Sequence, residues 1–281
     1  MIDIQKLIEQ ANELSPLPAS TVRLARMVSS PESDLNEVAE LIEFDQGLTV
    51  KLLRAANSAA NASTTRISNV KEAVGRLGTA QVMALAMAAS TRPFLQSRIH
   101  NYGPGEPNLW RHSVAAAVAA EVAPHFCKVP APPETLTTAL LHDIGKLVMS
   151  RFLNPEILGF IKSAQEVDHL GEREAESLLL SVAHAELGGL IAQHWELPER
   201  IVQGITHHHN PEESEDVICA FTYMANQIAK RIEAGLDGRR LNLVIPDDIL
   251  EQVGLTKSSL DNYCPIAASR FEQLRKRYDA V

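Results

Sequence analysis

Leu24, Met27 and Val28 stand at i, i+3 and i+4, and Val38, Leu41 and Ile42 repeat that spacing. Leu48, Leu52 and Ala56 continue it, and the same period runs through nearly every later segment. Alternation of apolar and polar residues, the signature of a half-buried strand, is scarce. A chain with one apolar stripe per segment and no sheet to cover closes its core by packing helix on helix, so an all-α fold is expected. Pro31 and Ser33-Asp34 separate the first two helices with turn and N-cap chemistry. The small polar stretch NSAANASTTR follows the third helix. SNVKEAVGRLG then reads as a capped helix ending near Gly78, and TAQVMALAMAAS as a buried one.

The sharpest interruption is NYGPGEPN, Asn101 to Asn108, where two glycines and two prolines forbid any regular element. It predicts a hinge, and with it a bilobed multi-helix bundle. An N-terminal helical lobe is assigned to residues 1–100, a second helical lobe to 101–236 and a C-terminal extension to 237–281. Helices are expected near Leu109–Phe126, Glu134–Phe152, Pro155–Val167, Glu172–Leu180, His184–Trp195, Pro198–His209 and Asp216–Ala234. The extension carries one short apolar run, LNLVIP, and a terminal helix from about Pro265. Gly103-Pro104-Gly105 is no phosphate loop, because neither a preceding strand nor a following Lys-Ser/Thr accompanies it.

The net charge of −9 argues against non-specific nucleic-acid binding, which needs a basic surface. The basic runs Arg239-Arg240 and Arg275-Lys276-Arg277 are short and read as solvated helix ends or loops. Cys127, Cys219 and Cys264 are odd in number and widely spaced, which suits reduced thiols and excludes a CxxC zinc site. MIDIQKLIEQ carries charges throughout and lacks the apolar core of a signal peptide. VMALAMAAS is too short to span a bilayer. A cytoplasmic location with no membrane contact is expected, and Asn61-Ala62-Ser63, although a sequon, carries no weight there.

The ten histidines call for a separate account of each. A lone histidine is more often a surface residue or a hydrogen-bonded core residue than a ligand. His100, His125, His169 and His194 are read that way, although His194 sits near the apolar face of its helix. Asp143, in TALLHDIGKL, is different. Leu136, Leu140 and Leu147 stand at −7, −3 and +4 from it, so its carboxylate projects from an apolar face. A carboxylate buried there needs a cation, a metal or a dense set of donors. On this residue alone, a metal site and a salt bridge or helix cap stay equally open. In HHHNP, Ile201, Val202 and Ile205 define the inward face of a helix that opens with Pro198 at its first position. His208 and His209 follow that face, and His207 falls on the outward side. His112 and His184 stand near helix starts, the latter with Ser181 as a plausible N-cap.

His112, His142-Asp143, His184 and His208-His209 together resemble the ligand order of the HD-domain phosphohydrolases. LLHDIGKL and HAELGGLIAQHWELPERIVQGITHHHNP look like that superfamily's motif regions. LSPLPASTVRLARMVSSPESDLNEVAELIEFDQGLTVKLLRAANSA, followed by ISNVKEAVGRLGTAQV, narrows the resemblance to the HDOD (HD-related output domain) family, from about Leu14 to about Pro211. The resemblance implies an HD-domain-like second lobe in which Asp143 bridges two ions. His112 and His142 would hold one ion; His184, His208 and His209 would hold the other. Lys146 matches a lysine that contacts substrate phosphate in the related HD-GYP cyclic-dinucleotide phosphodiesterases; a solvent-facing lysine near a helix end is the plainer reading.

Two departures from the hydrolytic pattern stand out. AFTYMANQIA places Asn226 where the hydrolases carry an aspartate, so the first metal position loses an anionic ligand. The Gly-Tyr-Pro segment of the cyclic-dinucleotide enzymes is also absent. The expectation is a non-catalytic signalling protein that engages protein partners in trans, with no nucleic-acid partner and with its oligomeric state open. Its degenerate site would retain one divalent ion (iron, manganese, zinc or magnesium) or a small ligand. The rival is a metal-dependent phosphohydrolase of a nucleotide or cyclic nucleotide, in which Asn226 is tolerated or replaced by another carboxylate such as Glu186.

Overall fold

The computed structural model describes residues 9, 11, 13–32, 34–57, 67–95, 109–150, 155–167, 170–236 and 243–278. Every regular element among them is helical. The N-terminal part is built from α1 (Ala19–Val28), α2 (Leu35–Glu43), α3 (Gln46–Ala56), α4 (Val70–Leu77) and α5 (Thr79–Leu95). Three side-chain caps set where helices begin. Asp34 accepts from Asn36 N–H, Asp45 from Leu48 N–H and Asn69 from Glu72 N–H. The apolar stripes then close on one another: Leu24, Val28, Val38, Ile42, Leu52 and Val74 are buried in a single cluster. Val82, Met83 and Met87 of α5 belong to it too, and α5 packs against α1 on one side and α7 on the other.

The second part contains α6 (Leu109–Val122), α7 (Thr135–Leu141), α8 (Lys146–Met149), α9 (Pro155–Glu166), α10 (Glu172–Leu180), α11 (His184–His194), α12 (Glu199–Thr206) and α13 (Val217–Leu236). The apolar cluster of the N-terminal part continues without a break through Leu140, Leu147, Leu187 and Ile205. Phe94 packs on Trp195, with ring centroids 6.3 Å apart. The expected hinge, Asn101–Asn108, lies outside the described residues, as do most of NSAANASTTR, His100, His169 and Arg239-Arg240.

Three expectations need correction. The helix expected over Glu134–Phe152 breaks at His142–Gly145. Ile144 N–H bonds to Leu141 O at 2.8 Å and Lys146 N–H to Asp143 O at 3.0 Å, so tight i+3 turns replace the α-helical pattern. Pro198 precedes α12 rather than opening it, and Ser181 is no N-cap. Ser181 ends α10 in the left-handed region at φ 63°, and Ala183 is the residue that precedes α11.

The terminal helix also starts earlier than Pro265. α14 (Asp247–Val253) was not foreseen, and α15 runs Lys257–Tyr278 with Pro265 inside it. A proline inside a helix costs roughly 3 kcal/mol. Burial offsets that cost here. Tyr263, Ala267 and Phe271 form one buried face against α6 and α13, and Tyr263 Oη donates to Ala119 O at 2.6 Å. Arg270 clamps Glu121 of α6 through both its Nε and Nη2. No single helix among the described residues is long and apolar enough to cross a membrane.

Candidate metal centre

Backbone contact between helices sets the site's dimensions. A Cβ on Gly145 would lie 1.9 Å from His184 O and 2.7 Å from Gly188 N. A Cβ on Gly189 would lie 2.1 Å from Thr206 Oγ1. The turn carrying His142 and Asp143 therefore rests directly on the start of α11, and α11 rests on the end of α12. The short contacts bring together residues from distant parts of the sequence. His112 comes from α6, His142 and Asp143 from the turn after α7, and His184 from the first position of α11. His208 and His209 come from just beyond α12, and Asn226 from α13.

Asp143 stands at the centre, 2% exposed, with its two oxygens facing different histidines. Oδ2 lies 3.6 Å from His112 Nε2 and 3.4 Å from His142 Nε2; Oδ1 lies 3.2 Å from His184 Nε2 and 3.7 Å from His208 Nε2. This divides the site in two. In the first half-site, His112 Nε2 is 3.2 Å from His142 Nε2 and 3.2 Å from Asn226 Oδ1. In the second, His184 Nε2 is 3.3 Å from His208 Nε2 and 3.0 Å from His209 Nε2.

The outer nitrogens fix the orientation of these rings. His142 Nδ1 donates to Ala139 O at 2.8 Å, and His208 Nδ1 to Ile205 O at 2.7 Å. A carbonyl only accepts, so each ring carries its proton on Nδ1 and turns a bare Nε2 inward. Burial pushes both rings below the ordinary histidine range, with the charge of neighbouring histidines adding to the effect at His208. His112 and His184 are held instead by carboxylates. His112 Nδ1 lies 2.8 Å from Glu233 Oε2, and His184 Nδ1 lies 2.6 Å from Glu176 Oε2. Glu176 also accepts the His184 backbone N–H, which has no partner within the first turn of α11. Burial pushes the His184 imidazole down, but the Glu176 carboxylate outweighs this, and its pKa stands at about 10. Burial raises the Asp143 carboxyl, yet His142 and Lys146 outweigh that effect and hold it well below the usual carboxylate range.

These donors fit a divalent ion. Metal–imidazole bonds of 2.0–2.1 Å put two ligands of one ion about 2.9–3.4 Å apart, and the Nε2 separations fall in that range. The bare Nε2 atoms of His142 and His208 point into the cluster, where their lone pairs are available to a cation. Asp143 Oδ1, buried, receives no well-directed hydrogen bond. Carboxylate or carbonyl partners behind the rings are the usual support of metal-ligating histidines. Asp143, His184, His208 and His209 would hold an ion in the second half-site, supplying one carboxylate and three imidazoles. His112, His142 and Asp143 form the matching group in the first.

All seven residues singled out in the sequence, His112, His142, Asp143, His184, His208, His209 and Asn226, thus meet in one place. His207 stays outside the cluster and faces Glu213. His125 and His194 are exposed, so His194 does not share its helix's apolar face. Glu186 takes no part: its carboxylate accepts Ala183 N–H at 2.8 Å and pairs with Arg173 at 3.2 Å. Lys146 is not solvent-facing; it is buried, with Nζ 3.1 Å from Asp143 Oδ2. Glu176 and Glu233 were not foreseen. Glu233 had a usable signal, because it stands seven residues after Asn226 on the same helix and so shares its face.

The HDOD domain family matches residues 14–211. An uncharacterised protein of Treponema pallidum (strain Nichols) is 25% identical over 222 residues, which cover 77% of this chain and 42% of that protein. The chain therefore spans less than half the length of that curated relative. A provisionally named signal transduction protein from Marinobacter aquaeolei VT8 shares the fold at a TM-score of 0.69 and 21% identity, covering 98% of this chain and 62% of that one. A provisionally named phosphohydrolase from Shewanella amazonensis SB2B superposes at a TM-score of 0.61 with 25% identity, covering 95% of this chain and 93% of that one.

Proposed function

This chain belongs to the HDOD family, and from that premise we propose that it is a signalling protein without hydrolytic activity, which holds one divalent ion and acts through protein partners in trans. One observation carries the reading: the oxygen 3.2 Å from His112 Nε2 in the first half-site belongs to an amide, Asn226, and not to a carboxylate. Asp143 is then the only anionic side chain among the inward-facing ligands of both half-sites. Two-metal hydrolysis needs both ions close together to activate water and to offset charge on phosphoryl oxygens. At an effective dielectric of 20, a carboxylate 4 Å from a dication supplies about 8 kcal/mol of gross attraction that an amide does not. The second half-site keeps its full donor set and is the place for the retained ion.

A surface built from α1, α2 and α3 supports the partner role. Phe44 is 91% exposed, beside a cleft of 440 Å³ lined by Ala19, Arg23, Leu41 and Gln46 among others. A large aromatic at a cleft rim is the kind of anchor a protein partner buries. The rival reading, a phosphohydrolase of a nucleotide or cyclic nucleotide, draws on the division of the Asp143 oxygens between two histidine sets. The Shewanella relative's name points the same way.

Metal analysis combined with a turnover assay decides between the readings. Protein supplied with Mn²⁺ or Fe²⁺ is expected to retain one equivalent per chain and to leave bis(p-nitrophenyl) phosphate and cyclic dinucleotides intact. Two equivalents per chain, with turnover abolished by Asp143→Ala, would overturn the proposal.

A further inference from the structure

Lys146 is 6% exposed, a degree of burial that lysines seldom reach unless paired. It opens α8, three residues after Asp143, and its Nζ lies 3.1 Å from Asp143 Oδ2. That oxygen faces His112 and His142 and belongs to the first half-site. The other oxygen, Oδ1, faces the second half-site and receives no well-directed hydrogen bond. The two oxygens of one carboxylate therefore have different neighbours: Oδ2 has an ammonium beside it, which a metal ion could reach only against its charge, whereas Oδ1 has beside it imidazole nitrogens that can themselves ligate an ion.

The rest of the first half-site agrees with a cation already present. Asn226 brings an amide oxygen to the centre. Behind His112, Glu233 is shared with Arg111, whose Nε lies 3.3 Å from Glu233 Oε1, so the nearest outer carboxylate already has a guanidinium partner. Any divalent ion bound to Oδ2 at about 2.0–2.2 Å would stand within about 5 Å of the ammonium. No second anion among the inward-facing ligands is there to screen the repulsion.

Building on the one-ion reading of the site, we infer that Lys146 is the resident cation of the first half-site: its ammonium takes the charge position of one ion, turns Oδ1 of Asp143 toward the second half-site, and limits the chain to one divalent ion. Lys146 and Asn226 act together, the lysine by adding positive charge and the asparagine by withholding negative charge. The lysine's part is to position the Asp143 carboxylate and exclude an ion, without itself contacting one.

Mn²⁺ alone is the probe, titrated into the full chain and into Lys146→Met, Asn226→Asp and the double variant. Stoichiometry is read by elemental analysis after gel filtration, and electron paramagnetic resonance distinguishes isolated Mn²⁺ from an exchange-coupled pair. The wild type is expected to hold one uncoupled ion. Lys146→Met should bind a second ion at least tenfold more tightly than the wild type does, and the double variant should hold two with a coupled spectrum. Lys146→Gln, which removes the charge but keeps a polar end, guards against a folding defect in Lys146→Met and should show the same gain. A folded Lys146→Gln that binds Mn²⁺ as the wild type does would overturn the inference, as would a wild type that already holds a coupled pair. Failure of the non-hydrolytic reading is separate, because it would show as phosphodiester turnover by the wild type, which these binding measurements do not register.

Discussion

Two glycines test whether helix spacing sets the site. At Gly145 an added Cβ would meet His184 O at 1.9 Å, at least about 1 Å inside any tolerated contact, with Gly188 N at 2.7 Å as a second obstacle. Both obstacles are backbone atoms, so no rotamer change relieves them. The turn before α8 and the start of α11 must separate by roughly 1 Å, and Asp143, two residues earlier, moves with the turn. Its Oδ1 now lies 3.2 Å from His184 Nε2, and a separation of that size takes the pair beyond the spacing of two ligands on one ion. Overpacking of this kind costs about 3 kcal/mol at the upper end of the usual range. At about 2–4 °C per kcal/mol, Gly145→Ala should melt roughly 6–12 °C below the wild type. Its Mn²⁺ affinity should fall at least about tenfold, because a site must hold its geometry to within about 0.5 Å.

Gly75 is the internal control. It lies inside α4 with nothing within 4 Å of an added Cβ, so Gly75→Ala removes only the entropic cost of a helical glycine. That change should stabilise by about 0.5–1 kcal/mol and raise the melting temperature by roughly 1–4 °C. Differential scanning calorimetry with and without Mn²⁺, followed by isothermal titration of each variant, gives both quantities. Equal melting temperatures and equal affinities for Gly145→Ala and the wild type would refute the reasoning, since the helices would then have slack where the structure allows none.

Two further predictions concern other parts of the molecule. Glu176→Gln keeps the shape of the side chain but leaves a neutral amide to serve the His184 backbone N–H at 2.9 Å and Nδ1 at 2.6 Å. Titration calorimetry should show Mn²⁺ binding about 10–100-fold weaker, and an unchanged affinity would remove Glu176 from the support of the site. Asp45, which caps α3 by accepting Leu48 N–H, has its carboxyl held below the ordinary value of 3.8, with that backbone bond the largest cause and Ser20 assisting against partial burial. A lowered folded-state value means its stabilisation is present above pH 3.8 and is lost as pH falls through the lower value. Asp45→Ala should therefore cost about 1 kcal/mol at neutral pH and progressively less in acid, and a cost independent of pH would refute the assignment.

The fold and the inner ring of the site were legible because each rests on residue types with few alternative uses. A stripe of Leu and Val at helical spacing has one economical burial, and Asp34 and Asn69 cap the helices that their positions before apolar runs predict. Asp143 could be picked out because a carboxylate beside Leu140 and Leu147 has no cheap explanation. The break that delivers it was not legible, since it depends on Gly145 meeting the His184 carbonyl, a contact between residues 39 apart in sequence. Pro265 misled for a related reason. A proline reads as a helix start when only local cost is weighed, and here the tertiary burial of Tyr263 and Phe271 outweighs that cost.

Glu176 marks the deeper limit. In EREAESLLL it is one of three glutamates on a short helix, and composition gives no reason to separate it from Glu172 and Glu174. The structure separates two of them: Glu176 is fully buried, while Glu174 caps its own helix at Gly171 N–H. What distinguishes Glu176 is its position one residue after Ala175, on the face that α10 turns toward α11, where an imidazole is already waiting. A ligand can be recognised from its own chemistry, whereas a group that orients a ligand can be recognised only once the ligand's unused nitrogen has a direction. Each inward-facing histidine therefore predicts one acceptor behind it, and that prediction becomes specific to a residue only when the fold says which helix lies there.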